Sequence, residues 1–114
     1  MIVAVVRLAV YIHHSHSLKE KRAVIRKLID RIQARFKLHV AEVGGQDTWQ
    51  RAQLGFAVVG AEAQVVESIG DEVVRAIQSS VEGQGEVVSI DREVLRYGEH
   101  DFARAGGGNG AKYD

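Results

Sequence analysis

The segment Ile2 to Ile12 constrains the fold of this chain more than any other, because its odd-numbered and its even-numbered residues are both mostly apolar. Its Val and Ile content predicts a β-strand. One face would carry Ile2, Ala4, Val6, Leu8, Val10 and Ile12, and the other Val3, Val5, Arg7, Ala9 and Tyr11. A strand with two apolar faces is typical of the centre of a sheet.

A helix is predicted after this strand. Ser17-Leu18-Lys19-Glu20 has the spacing of a capping box, in which Ser17 accepts from the N–H of Glu20, and Glu20 reaches back to the N–H of Ser17. The apolar residues that follow predict a buried stripe, formed by Leu18, Ile25, Leu28, Ile29, Ile32 and Phe36. We expect the helix to end at about Phe36 or Lys37.

The next two strands are predicted at Leu38 to Val43 and at Ala52 to Val59. Gly44 and Gly45 allow a turn between them, followed by a loop around Gln46 to Trp49, so the two strands should form an antiparallel hairpin.

A second helix is predicted at Gly60 to Val81 and a fourth strand at Glu86 to Leu95, with Gly83 and Gly85 ending the helix. The helix would bury a stripe formed by Val65, Ile69, Val73, Ala76 and Ile77. Gly70 would allow another helix to approach closely, and Val88 and Ile90 of the last strand would point inward.

This order of elements predicts an α+β fold, the ferredoxin-like β-α-β-β-α-β sandwich. A four-stranded antiparallel sheet would have the first and third strands at its centre and two helices on one face. We expect this domain to occupy residues 1–97, and residues 98–114, with four glycines between 106 and 110, to form a flexible tail.

Composition excludes several classes of protein. The chain has 114 residues and no cysteine, which removes disulfides, Cys-ligated metals and Cys nucleophiles. Its apolar start is too short for a membrane span, which takes about 20 residues, and lacks the features of a signal peptide. We therefore expect a cytoplasmic protein without membrane contact.

Two blocks of sequence resemble a known family. They are Ser17-Leu18-Lys19-Glu20-Lys21-Arg22, and Ala41-Glu42-Val43 followed by Gln46-Asp47-x-Trp49-Gln50-Arg51-Ala52-x-Leu54-Gly55. Together with the strand pattern, they resemble the YlxP-like family of small bacterial proteins of unknown function, over roughly residues 1–97.

The resemblance implies a ferredoxin-like fold and no established activity. The genes of this family often neighbour those of transcription and translation factors, which implies an RNA- or ribosome-related role by association. Gly44-Gly45, where the family usually has more polar residues, and the glycine-rich tail depart from the family pattern.

The first helix concentrates positive charge. Residues 17–37 contain eight basic and two acidic residues, a balance of +6, whereas residues 38–99 contain four basic and eleven acidic ones, a balance of −7. We expect phosphate contact, with RNA or a ribosomal particle, through Lys19, Arg22, Arg26, Lys27, Arg31 and Lys37. The alternative is that these cations pair with acidic residues of the second helix: Glu62, Glu67, Asp71 and Glu72.

The sheet face away from the helices is predicted to be largely aliphatic, which argues against base stacking at its middle and favours burial against a second copy. Trp49, the one tryptophan, would anchor the hairpin or an interface. The predicted homodimer interface comprises Val3, Val5, Arg7, Tyr11, Trp49, Arg51 and Ala57.

No catalytic constellation stands out, so we expect a non-enzymatic accessory protein with no catalytic residue, cofactor or metal site. His14 and His16 could share an ion in an extended segment, but His13 and His14 point to opposite faces of a strand, and no nearby carboxylate completes the set. The alternatives to RNA contact are a homo-oligomeric interaction module and a small-ligand or metal-sensing domain.

Overall fold

The computed structural model describes residues 1–98 and shows the predicted order of elements. Most of the predicted tail, 98–114, lies outside the described residues. The elements are β1 (Ile2–Ile12), α1 (Leu18–Phe36), β2 (Val40–Gly44), β3 (Arg51–Gly60), α2 (Ala63–Val81) and β4 (Gly85–Arg96). None of the helices in this part of the chain is long and apolar enough to cross a membrane.

The four strands form one antiparallel sheet in the order β2-β3-β1-β4. β1 and β3 are therefore central, as predicted. The even-numbered residues of β1 are buried among the helices, whereas the odd-numbered ones line an open face. This confirms the ferredoxin-like fold and the assignment of the two faces of β1.

Only one of the two hydrogen bonds of the predicted capping box is formed at the start of α1. Ser17 Oγ accepts from the N–H of Glu20 at 3.1 Å. The Glu20 carboxylate does not reach the N–H of Ser17. It accepts from the N–H of His16 at 2.7 Å, because the backbone of the preceding loop brings that donor closer. The helix ends at Phe36, and Lys37 follows in the left-handed region with φ 58°.

The buried stripe of α2 is confirmed at Val73, Ala76 and Ile77, and Ile69 packs against the core, but the prediction is wrong at the start of the helix. Val65 was expected to be buried but is 50% exposed, whereas its neighbour Val66 is fully buried against Gly60. The prediction for Gly70 is also wrong, because an added Cβ would meet nothing within 4 Å. Adjacent valines are equally apolar, so the packing of Val66 on the end of β3 decides which one is inside.

Of the two residues of β4 predicted to point inward, Ile90 is confirmed and Val88 is wrong. Ile90 packs against the core, but Val88 is 41% exposed, and Val87 takes its place opposite Val10. The register between β1 and β4 shifts between Ala9 and Val10. This irregularity inserts one residue into β4, so alternation counted along the strand fails across it.

Candidate functional site

The predicted cations lie on the solvent-facing side of α1 and, for Lys37, at the residue that follows it. All six are exposed: Lys19, Arg22, Arg26, Lys27, Arg31 and Lys37. Within residues 1–98, the ion pairs are Arg7–Asp91, Lys21–Glu42 and Arg92–Asp71, and none of them includes one of the six. We call these six residues the basic face.

Neutralisation of the basic face by α2 is not observed in the described part of the chain. Asp71, one of the α2 carboxylates that the alternative would pair with cations of α1, is bound by Arg92 of β4. Two acidic residues stand among the six along the helix, Glu20 and Asp30, and both are exposed; the Glu20 carboxylate accepts from the N–H of His16. The positive charge of α1 is thus presented to solvent.

Lys21 differs from every other cation of α1 because it is fully buried. Its Nζ donates to Gly45 O at 2.6 Å, to Arg51 O at 3.1 Å and to Glu42 Oε2 at 3.2 Å. These three acceptors match the three protons of an ammonium group, which satisfies the buried charge. Lys21 therefore ties the first turns of α1 to both ends of the β2–β3 loop.

Sequence reasoning missed this role, although a signal was present. Lys21 precedes Ile25, Leu28 and Ile32 by four, seven and eleven residues, which is the spacing of one helix face. That spacing places Lys21 on the buried stripe. A lysine at such a position needs a full set of acceptors, and the acceptors of Lys21 are far from it in the sequence.

The β2–β3 loop has the backbone that this contact needs. Gly45 has φ +78°, and a Cβ there would lie 3.0 Å from Arg51 O, so a side chain would strain the turn. Thr48 N–H donates to Gly45 O at 3.1 Å, which closes the loop on itself. The Gly44-Gly45 departure thus has a local structural reason at Gly45.

The open face of the sheet is divided into two halves. At its centre, Arg7 bonds Asp91 through Nη2 and Nε, at 2.9 and 3.3 Å. On one side of this pair, Val59, Val3 and Leu95 stand in register across three strands, followed by Ala57, Val5 and Glu93. We call the residues Val3, Val5, Ala57, Val59 and Leu95 the apolar half.

The other half is polar and aromatic. Gln53, Ala9 and Ser89 stand in register there, and Tyr11 stands between Arg51 of β3 and Glu86 of β4. The predicted interface residues therefore fall into separate places: Val3, Val5 and Ala57 lie in the apolar half, Arg7 at the centre, and Tyr11, Arg51 and Trp49 at the far end.

The histidines of the β1–α1 loop do not assemble a metal centre with other ligands. His13, His14 and His16 are all exposed. Among residues 1–98, no group of three or more His, Cys, Asp or Glu side chains is placed to hold a metal ion. The ring of His13 contacts the ring of Tyr11 instead, with centroids 5.1 Å apart.

Comparison with known proteins supplies a family. A family model described as "Protein of unknown function (DUF503)" matches residues 3–92. This chain belongs to that family. The uncharacterised protein YlxP of Bacillus subtilis (strain 168) is 39% identical over 85 residues, which are 75% of this chain and 85% of YlxP. Both findings confirm the resemblance to the YlxP-like family, and the DUF503 description names no activity.

Solved structures share the fold of this DUF503 protein. A de novo designed protein with a ferredoxin fold, LFR1, has a TM-score of 0.52, with 14% identity over 87% of this chain and 90% of its own. The structural genomics protein YJCS has a TM-score of 0.50, with 10% identity over 82% of this chain and 99% of its own.

A larger protein contains the same fold. A chlorite dismutase-like protein has a TM-score of 0.55 and 9% identity, and the match covers 90% of this chain but only 48% of that protein. This chain thus spans about half the length of that structure. At such identities, these structures inform the fold and not the activity.

Proposed function

We propose that this protein is a non-enzymatic accessory factor that contacts RNA, including the RNA of ribosomal particles, through the basic face of α1. The observation that carries the proposal is the set of six exposed cations, none with a carboxylate partner within residues 1–98. Such a factor would act in the cytoplasm, where ribosomal particles are found.

A row of cations on one helix suits the phosphate backbone of RNA. The helix fixes the spacing of the charges, so that binding does not require the backbone of the protein to become ordered. Contacts of this kind are independent of sequence and weaken as salt rises, because they release counterions. The chain as a whole has no net charge, so the attraction is local and is screened within about 10 Å at 0.1 M salt.

A filter-binding titration of ribosomal RNA, at low and at moderate salt, tests the proposal. We expect Arg26→Glu to weaken binding by roughly tenfold at low salt and to reduce the salt dependence of the remaining affinity. Arg75→Glu is the matched control, because Arg75 is an exposed arginine on α2 and the change in charge is the same. Sedimentation with ribosomal particles repeats the comparison on the assembled target.

Asp30→Asn should change the RNA affinity in the opposite direction from Arg26→Glu. Asp30 stands among the cations of the basic face, so removal of its charge should strengthen RNA binding. The absence of RNA binding at low salt would contradict the proposal. Equal losses in the Arg26→Glu and Arg75→Glu variants would also contradict it, because binding would then follow total charge and not the basic face.

A second proposal concerns the apolar half of the open face, which we infer is an interface between two copies of this chain. Val59 is 61% exposed, and Val3 stands in register between Val59 and Leu95, so that aliphatic side chains of three strands form one row. Monomers rarely leave such patches in water. A second copy brings an identical aliphatic surface, and the central Arg7–Asp91 pair offers charges of both signs to it.

Sedimentation velocity tests this interface. Val59→Glu should convert the dimer to a monomer by placing a carboxylate in the contact. Val65→Glu should not, because Val65 is 50% exposed but lies on α2, away from the open face. A monomeric starting protein, or a dimer that survives Val59→Glu, would rule the interface out.

A further inference from the structure

One end of the open face has a surface suited to flat, aromatic ligands. Tyr11 is the penultimate residue of β1, and it stands opposite Arg51 of β3. The ring of His13 meets the ring of Tyr11 at a centroid distance of 5.1 Å and an angle of 72°. Trp49 precedes Arg51 by two residues, in the segment whose next residue, Gln50, bonds the end of β1. We call Tyr11, His13, Trp49 and Arg51 the aromatic corner.

The backbone that follows Trp49 is held against the end of β1 by two hydrogen bonds of Gln50. Gln50 O accepts from the N–H of Ile12 at 2.7 Å, and Gln50 Nε2 donates to His13 O at 3.1 Å. Trp49 directly precedes this clamp, yet its side chain is 55% exposed. The loop therefore presents an indole to solvent at a fixed place at the end of β1.

The chemistry of the corner matches an unpaired nucleobase. Bases that are not in a duplex stack on the rings of Trp, Tyr and His and on the guanidinium plane of Arg. Trp49, Tyr11, His13 and Arg51 supply all four kinds of surface. The small aliphatic residues in the middle of the open face offer none of them, so the corner is the part of the sheet suited to stacking.

Lys21 joins the aromatic corner to the basic face. Its Nζ bonds Gly45 O and Arg51 O, which lie at the two ends of the loop that carries Trp49. Its neighbours in the same stretch of helix, Lys19 and Arg22, are exposed members of the basic face. The buried side chain of Lys21 thus connects the loop that carries Trp49, at one end of the open face, with the helix that presents the basic face to solvent on the other side of the sheet.

We propose that the aromatic corner binds an unpaired base of the same RNA whose phosphates contact α1. This inference rests on the proposed function and deepens it, because it gives the ligand as single-stranded or looped RNA rather than a duplex. The phosphates supply affinity without regard to base pairing, and the corner supplies the preference for an unstacked base.

Tryptophan fluorescence reports on this site directly, because Trp49 is the one tryptophan in the chain. The probe is a short single-stranded oligoribonucleotide of mixed sequence, with the duplex of the same sequence beside it. We expect the single strand to quench the emission of Trp49 to saturation and the duplex to leave it nearly unchanged. Fluorescence anisotropy of the labelled RNA gives the affinities in parallel.

Variants separate stacking from charge. Trp49→Ala should weaken binding of the single strand by on the order of tenfold while leaving its salt dependence unchanged, and Trp49→Phe should restore most of the affinity. Tyr97→Ala is the matched control, because Tyr97 is a 66% exposed aromatic residue beyond the opposite end of β1, where it bonds Met1. It should bind like the unchanged protein.

The outcomes distinguish this inference from the proposed function. Unchanged Trp49 emission, together with equal affinities of Trp49→Ala and the unchanged protein, would overturn the aromatic corner even if Arg26→Glu abolishes binding. Quenching by RNA that is insensitive to Arg26→Glu would support the corner and overturn the basic face. No binding of either RNA at low salt would overturn both. If Trp49→Ala changes only the self-association of the protein and not its RNA affinity, the corner is a protein contact and the inference is overturned.

Discussion

Lys21 and the six cations of the basic face are side chains of similar chemistry on one helix, but they have opposite environments. Lys21 Nζ is enclosed and makes three hydrogen bonds, two of them to backbone carbonyls. The six others are exposed and form no ion pair within the described residues. Burial removes water from a charge, so only a cation with a full set of acceptors can occupy the inner position.

The comparison teaches that the number of charges on a helix does not equal the charge it presents. Of the eight basic residues between 17 and 37, Lys21 is buried and holds the β2–β3 loop against α1. Its removal should affect folding, whereas removal of the others should affect binding.

Lys21→Met should lower the free energy of unfolding by about 3 kcal/mol, because it leaves Glu42 without its counter-ion and two carbonyls without a donor. Glu42 retains 20% of its side-chain exposure, which moderates the loss. Urea denaturation followed by circular dichroism measures it. Lys27→Met, on the basic face, is the control. If Lys21→Met lowers the free energy of unfolding by less than about 1 kcal/mol, the buried cation does not stabilise the contact between α1 and the loop.

Lys21→Arg should cost about 2 kcal/mol, although it keeps the charge, because a fully buried site has no room for the larger planar guanidinium. The same urea titration applies. Lys27→Arg should leave stability unchanged, since that side chain is in solvent. If both variants unfold at the same urea concentration as the unchanged protein, charge alone rather than fit would define the Lys21 site.

Ser17→Ala should lower stability by about 1 kcal/mol, because the N–H of Glu20 loses its acceptor at the start of α1. This change affects the same turn that carries Lys21 but removes no charge. Thermal unfolding at constant salt measures the effect. A loss as large as that of Lys21→Met would indicate that the cap, and not the buried cation, holds the turn.

Arg26→Ala should change the free energy of unfolding by no more than about 0.5 kcal/mol, because an exposed cation without a partner contributes little to folding. Its RNA affinity should nevertheless fall. Denaturation and filter binding on the same preparation give both values. A stability loss comparable to that of Ser17→Ala would mean that Arg26 has a structural partner, and would weaken the contrast with Lys21.

Sequence patterns were reliable where a residue's environment follows from its neighbours along the chain. The two faces of β1, the burial of Ile25, Leu28 and Ile32 in α1, and the Ser17 cap depend on local sequence, and the structure confirms them. Prediction failed at Val65 and Val88, where periodicity allowed either of two adjacent valines to be inside. Contact with β3 settled the first, and an irregular pairing with β1 settled the second.

The candidate sites show the same division. That α1 carries a surplus of cations is a property of the sequence. Which of them are free depended on Asp71, which binds Arg92 of β4 rather than a residue of α1. That the segment carrying Trp49 meets the end of β1 depended on the two hydrogen bonds that Gln50 makes with Ile12 and His13.

The sequence by itself determined the order of elements, the central place of β1 and the positive charge of α1, because each follows from side chains close together in the chain. Only the tertiary structure decided that Lys21 is enclosed, since two of its acceptors, Gly45 and Arg51, lie 24 and 30 residues further along. A charge can be buried only where distant carbonyls and a carboxylate meet it, and folding alone brings those groups together.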